Sequence, residues 1–448
     1  MDPRPPLYDP LVRLLRAASP LAARGDSKLA RGIRGRRQAG ARLAAWAREH
    51  RDPARPLVWF HAPSVGEGLQ ARAVLEEVTR RRPHLQTVYT HFSPSAEGLA
   101  ARMPADVADY LPWDDRRDVA RVLDALRPQL IAFTKTEVWP GLAAEALARG
   151  VPMALLAGTL PAGSSRLRPP AARLLRKTFG ALDRVMAVEQ PDAQRFARLG
   201  VPYDRVDVCG DPAVDSAWQR VGEADLDTPY LRAVQAPGRF TLVAGSTWEP
   251  DEAVLLPALE RLAQDMPRLQ AVVAPHEPHP SHVTDLVERF TSMGWEARTL
   301  AELEAAEGDA GSTASAPQAV VVERVGVLAE LYRAADAAYV GGGFHRHGLH
   351  SVLEPAAAGV PVVFGPRHGN APAAGALSAR GGAHVVGNAD ELHRVLSAWV
   401  WSEAARGVVA REVSGYIDGQ RGAALRTAQA LEWLLDSPHN PTRGPARS

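Results

Sequence analysis

Short apolar runs alternate along this chain with longer stretches in which apolar residues recur every three to four positions. That alternation predicts strands at 57–61, 87–90, 130–134, 153–157, 184–188 and 206–209, separated by helices such as 69–80, 141–148 and 192–199. A second series of strands follows at 240–244, 270–274, 319–322, 337–340, 360–364 and 383–386. Strand and helix in turn argue for parallel sheets covered on both faces, an α/β class rather than a sandwich or a bundle. Two Rossmann-like units are expected, one over 53–216 and one over 239–437, with a linker at 217–238. Two such units facing each other leave a cleft at the carboxyl ends of their strands, where open sheets bind ligands. The polar stretch 307–318 reads as mobile and the tail 438–448 as disordered.

Residues 339–370 are the most informative segment. The strand at 337–340 runs into Gly341, Gly342 and Gly343, and a helix is expected from Leu349 with Glu354 and Pro355 in its first turns. Glycines let backbone N–H groups approach a phosphate, and a helix N-terminus at the same point favours its charge. A glycine-rich βαβ corner without a ligand has the same pattern.

Other strand ends carry candidate chemistry. In HAPSVGEG, His61 to Gly68, the pair Ser64 and Glu67 has the spacing of a capping box. Glu67 is equally placed to take a proton from an attacking hydroxyl, a step worth roughly 10²- to 10⁴-fold in rate. In KTEVWP, Lys135 to Pro140, Glu137 falls on the same sheet edge, as a second active carboxylate or as a surface glutamate beside Lys135. In GSTWEPDE, Ser246 or Thr247 would cap the next helix or hold a phosphate. APHEPHP, with His276 and His279, and RVGVL, with Gly326, end two further strands of the second unit.

Composition narrows these possibilities. The chain has 448 residues, enough for two or three domains, and a single cysteine, Cys209, which excludes an internal disulfide. Its 52 Lys and Arg nearly balance 51 Asp and Glu, so nucleic-acid binding is not suggested. The excess of basic residues lies in 1–52, with Arg13, Arg16, Arg24, Arg31, Arg34, Arg36 and Arg37 around Leu11, Leu14, Leu15 and Leu21. No run there reaches the roughly 20 apolar residues that span a bilayer. An amphipathic basic segment of this kind suits an anionic membrane surface, or else a solvated helix packed on its own domain. His345, His347 and His350, with His276, His279 and His282, raise a metal site, but the prolines exclude an HExxH helix and no cysteine or aspartate cluster completes a ligand set.

Taken together and in order, LYDPLVRLL, GRRQ, HAPSVGEG, KTEVWP, GSTWEPDE, APHEPHP, YVGGGF, HSVLEP and VVFGP resemble the 3-deoxy-D-manno-octulosonic acid (Kdo) transferases of lipopolysaccharide synthesis, over nearly the whole chain. The resemblance implies a GT-B glycosyltransferase taking Kdo from CMP-Kdo to a lipid A precursor, lipid IVA, with inversion and without metal or cofactor. It would act at the cytoplasmic face of the bacterial inner membrane, as a peripheral or monotopic protein. It implies Glu67 as general base and Glu137 as an aid to the transition state. It places CMP at Pro275, His276, Gly326, Val327, Leu328, Ser351, Val352, Leu353 and Glu354, beside Ser246, Thr247, Gly342, Gly343 and His350. Glu354 would hold the ribose. On the acceptor side fall Ser64, Gly66 and Lys135, and the run Arg166, Arg168, Arg173, Arg176 and Lys177 suits acceptor phosphates or, equally, a solvated helix face. Departures are Ala213 where many members carry a cation, Pro275-His276-Glu277 for Pro-Arg-His, and Ser351 for asparagine. They leave room for a nucleotide-sugar 2-epimerase on the same architecture or a silent nucleotide- or lipid-binding relative.

Overall fold

The computed structural model describes residues 2–25, 27–235, 238–307 and 317–437. The stretch expected to be mobile, apart from its ends, and the tail 438–448 lie outside the described residues. A first sheet is built from β1 (Leu57–His61), β2 (Gln86–His91), β3 (Val107–Tyr110), β4 (Leu130–Thr134), β5 (Met153–Gly158), β6 (Arg184–Ala187) and β7 (Val206–Val208). Its order is β3-β2-β1-β4-β5-β6-β7, and every pairing is parallel. A second sheet is built from β8 (Phe240–Thr247), β9 (Leu269–Pro275), β10 (Ala297–Thr299), β11 (Ala319–Val321), β12 (Ala337–Val340), β13 (Val362–Phe364) and β14 (Ala383–Val385). It is also parallel throughout, in the order β10-β11-β9-β8-β12-β13-β14.

The central strands read as unbroken apolar runs because helices bury both of their faces. All five residues of β1 are buried, with Trp59 and Phe60 pointing into separate apolar clusters. Two strands escape the sequence pattern. Val107–Tyr110 and Ala297–Thr299 are edge strands, largely half-buried and holding a charged residue each, so no apolar run marks them.

Strand order matters for function. In each sheet the chain builds outward on one side of the first strand and then crosses to the other, so that β1 lies beside β4 and β8 beside β12, and loops leaving such a pair part to opposite faces and open a crevice. HAPSVGEG and KTEVWP leave β1 and β4, while GSTWEPDE and the triple glycine leave β8 and β12.

The chain divides into two compact units, one comprising residues up to Ser216 together with the chain from Gln420, the other Ala217–Gly419. Two expectations need correction. The helix Ala423–Asp436, expected in the second unit, belongs to the first. Its Ala428, Leu431, Leu434 and Leu435 pack with Val74, Leu75 and Val78 of helix Val65–Arg81, Arg81 and Arg82 pair with Glu432, and Asp215 receives the amides of Gly422 and Ala424. The 217–238 segment is no plain linker, since Tyr230, Leu231 and Val234 of helix Pro229–Val234 are buried in the second unit.

The basic N-terminal segment forms two helices. Lys28–His50, capped by the Ser27 hydroxyl, buries Ala30, Ile33, Ala39, Leu43 and Ala47. Tyr8–Ala22 is tied down by Tyr8 donating to buried Asp114 and by Arg16 pairing with Asp115 and Asp118. It leaves Leu11, Leu14, Leu15 and Leu21 exposed, beside Leu7 at 79%. Among the described residues no helix is long and apolar enough to cross a membrane.

Candidate active site

In the first unit, Glu67 lies in the opening turn of helix Val65–Arg81, whose N-cap is Ser64. The capping box does not form. The Ser64 hydroxyl makes no bond to the helix amides and donates instead to Oε2 of Glu67, while Lys135 Nζ lies 3.1 Å from Oε1. Burial alone pushes the Glu67 carboxyl up, but the Lys135 ammonium, the Ser64 hydroxyl and its own amide outweigh that and hold it below the usual carboxylate value. Glu67 is thus a preformed anion, with a side chain 15% exposed. Gly66 beside it is exposed, and a Cβ built there meets nothing within 4 Å, so its lack of a side chain answers no need of the protein's own packing.

KTEVWP is fixed from beneath. Trp139 donates to Nε2 of His61 at 2.9 Å, which places the imidazole proton on Nδ1, 3.1 Å from the Thr90 hydroxyl. Complete burial pushes His61 down to about 3, so it stays neutral. Helix Pro140–Ala148 then starts on Asp114, which accepts from the amides of Gly141 and Leu142 at 2.7 Å. Between these anchors, Glu137 pairs with Arg166 at 2.8 Å. The two candidate glutamates are therefore each matched with a cation from the expected acceptor set, Glu67 with Lys135 and Glu137 with Arg166. Arg168 lies exposed just after the 3-10 turn Ser165–Leu167. Ala213 contributes its amide to Asp211, a carboxyl raised by burial and lowered in part by Lys135.

The second unit corrects the phosphate-loop expectation. The amides of Gly342 and Phe344 donate to the fully buried carboxylate of Asp251 at 2.8 and 3.2 Å, with the Tyr339 hydroxyl and the Trp248 amide on the same group. The glycines are required by packing. A Cβ on Gly341 would stand 2.1 Å from the Ser246 carbonyl, and one on Gly343 would stand 2.4 Å from the Gly365 nitrogen. The helix expected from Leu349 begins only at Leu353 and has five residues, Leu353–Ala357, so it brings little dipole to bear. Helix Leu328–Arg333, behind Gly326 and Val327, has six.

Neither Ser246 nor Thr247 caps the helix Glu249–Asp265, whose N-cap is Trp248. The Thr247 hydroxyl is committed to the buried Glu252 at 2.9 Å, and Ser246 sits in the left-handed region at φ 57°. Around Trp248 the imidazoles stack rather than converge. Its indole lies 4.2 Å from His345 and 4.8 Å from His276, and it donates to Nε2 of His350 at 3.0 Å. His276 stacks on His350 at 4.1 Å. Burial, then the three neighbouring imidazoles, push His350 down to about 4, which suits an acceptor. Among the described residues no group of three or more His, Cys, Asp or Glu is placed to hold a metal ion. Pro275 ends β9 in the wall of a cavity of about 790 Å³ that Trp248, His279 and His345 also line.

Ser351 accepts the Leu353 amide, and the Val352 and Leu353 side chains are buried, leaving mainly backbone to face a ligand there. Glu354 is partly exposed and pairs with Arg220, a residue the sequence placed in a linker. Asp251 and Glu252 were also missed as organisers. The adjacent acidic pair after a strand end was the available signal.

The family profile described as 3-deoxy-D-manno-octulosonic-acid transferase matches residues 37–216. A transferase of that name from Bordetella pertussis is 30% identical over 417 residues, 89% of this chain and 90% of the relative. Its namesake from Haemophilus influenzae is 25% identical, covering 85% of this chain and 87% of the relative. Among solved structures, a UDP-GlcNAc 2-epimerase from Neisseria meningitidis superposes with TM-score 0.60 over 84% of this chain and 99% of that one at 13% identity. A glycosyltransferase from Rickettsia africae does so with TM-score 0.56 over 85% and 98% at 10% identity. The structural likeness establishes the two-unit GT-B-type fold that epimerases and transferases share. Sequence identity sustained over nine-tenths of the Bordetella relative is what separates the two, and by it the chain belongs to the 3-deoxy-D-manno-octulosonic-acid transferase family of glycosyltransferases.

Proposed function

We propose that the protein transfers Kdo from CMP-Kdo to a hydroxyl of a lipid A precursor such as lipid IVA, with inversion, and that Glu67 is the base. The observation that carries this reading is the ionised, half-buried Glu67 at the β1/β4 switch point, next to a glycine with open space above it. Glu67 takes the acceptor proton as the hydroxyl oxygen bonds to the anomeric carbon, and the bond from that carbon to the CMP phosphate breaks with its electron pair leaving on CMP. Arg166, held by Glu137, and Lys135 are placed to meet the anionic groups of the substrates. On the donor side, Glu354, now paired with Arg220, accepts from the ribose hydroxyls, which frees the Arg220 guanidinium for an anionic group of the donor. Backbone groups of 351–354, Pro275 and His276 complete the nucleotide seat.

The membrane side of the reading rests on the exposed leucines of helix Tyr8–Ala22. The same helix contributes Arg13 and Arg16 to a cavity of about 540 Å³ that Arg37, Arg117 and Asp115 also line. Apolar side chains entering the lipid boundary next to guanidinium groups at headgroup level would hold the enzyme peripherally on an anionic inner-membrane surface. The test of the activity is CMP release from CMP-Kdo that requires the lipid acceptor. Nucleotide binding without turnover would favour a silent relative, and acceptor-independent conversion of a nucleotide sugar would favour an isomerase.

A further inference from the structure

We propose that Lys135 is a positioning residue for this reaction, restraining Glu67 in the resting enzyme and passing its ammonium to an anionic oxygen of the substrate so that Glu67 is released as base. The inference rests on the role of Glu67 given above. Both oxygens of Glu67 are engaged at rest, one by the Ser64 hydroxyl and one by Lys135 at 3.1 Å. An incoming hydroxyl therefore meets a carboxylate whose basicity the ammonium still lowers. The hydroxyl of Ser64 is neutral and rotates in place, whereas the ammonium carries the charge that makes the carboxylate a weak base.

Three features fit a cation built to exchange. The Lys135 side chain is 36% exposed where that of Glu67 is 15%, so the cation is the more accessible partner of the pair. Its backbone is held at φ 65°, a left-handed conformation that few residues other than glycine adopt, while its N–H donates to the Leu156 carbonyl at 2.7 Å. From that turn the side chain reaches Glu67 in the first turn of helix Val65–Arg81. Asp211, held by Gln70 and Ala213 at 2.9 Å, lies close enough to feel the Lys135 charge, which lowers its carboxyl slightly against the larger effect of burial.

The titratable groups facing the Glu67–Lys135 pair are Tyr89 from β2 and Asp211 ahead of helix Pro212–Gly222. The Tyr89 hydroxyl is buried beside Glu67 and has no hydrogen-bond partner among the described residues. It is pushed well above its ordinary value by burial and by the Glu67 charge, so it stays protonated. Once a phosphate or carboxylate oxygen takes the ammonium, burial is left as the dominant influence on Glu67 and its basicity rises.

The experiment compares the full-length protein with Lys135→Met and Lys135→Arg. First, the Glu67 carboxyl is titrated without substrate by carbon-13 NMR of glutamate-labelled protein, with Glu67→Gln providing the assignment. The midpoint should rise by about one pH unit or more in Lys135→Met and stay put in Lys135→Arg. Second, the acidic limb of kcat/KM should move upward by a matching amount, and KM should rise about tenfold or more, the loss expected for a charge-assisted contact. A KM effect that disappears with a dephosphorylated acceptor assigns the anion to the acceptor, and one that persists assigns it to CMP-Kdo. An unchanged carboxyl midpoint in Lys135→Met overturns the inference. Absence of transfer by the unmodified protein would instead strike at the proposed function, since the NMR titration needs no turnover.

Discussion

Two glycines in the candidate sites do opposite work, and substitution separates them. At Gly66 a Cβ meets nothing within 4 Å, whereas at Gly343 it would stand 2.4 Å from the backbone nitrogen of Gly365. Backbone cannot swing aside as a side chain can, so Gly343→Ala should cost about 1–3 kcal/mol through overpacking. Gly66→Ala should leave the unfolding midpoint unchanged yet lower kcat/KM at least about tenfold, because only a bound substrate would meet the new methyl group. Urea unfolding and steady-state kinetics on both variants check this. A Gly66→Ala enzyme with full activity would mean that no substrate approaches Glu67 from that side. Glu67 and Lys135 belong to the same scale, since their pairing helps to hold the carboxyl below its ordinary value against the opposing effect of burial.

The element that most changed meaning is the glycine-rich turn after β12. Its amides at 342 and 344, which sequence reasoning offers to a phosphate, are held by Asp251 from the helix after β8. Asp251 is fully buried with four donors on it, and each donor left unsatisfied costs roughly 1–3 kcal/mol. Asp251→Ala should therefore lower stability by about 3 kcal/mol or more, measured by urea unfolding. A loss below about 1 kcal/mol would show that the turn holds without it. The sequence could not reveal this tie, because Asp251 and Gly342 are far apart along the chain and only the pairing of β12 with β8 joins them. The same limit explains Ser64 and Glu67. Their spacing is right for a capping box, but Lys135 comes from another strand and draws the carboxylate away. What sequence did carry was the central strands, whose apolar runs follow from burial on both faces, and the motifs at their carboxyl ends. The edge strands at 107 and 297 and the return of helix Ala423–Asp436 to the first unit left no comparable signal.

For the whole molecule, strand order and surface carry the account. Glu67 follows β1, which pairs with β4, and Glu354 follows β12, which pairs with β8, while Pro275 and His276 of the proposed nucleotide seat follow β9. The N-terminal helix adds an apolar stripe, with Leu14 67% and Leu21 75% exposed. Burying a leucine contributes about 1.5–3 kcal/mol. Replacing both by aspartate should reduce co-sedimentation with vesicles containing anionic phospholipid about tenfold or more, and high salt should weaken the unmodified protein's binding through its arginines. Equal sedimentation of variant and unmodified protein would remove the helix from membrane attachment. The claim on which the rest depends is transfer itself, and it is tested most directly by following CMP release from CMP-Kdo with and without a lipid A precursor, for the unmodified protein and for Glu67→Gln. The account predicts acceptor-dependent release that falls about 10²- to 10⁴-fold in the variant while its unfolding midpoint is kept. Acceptor-dependent release of equal rate in both proteins, or CMP-Kdo binding with no release in either, would contradict it.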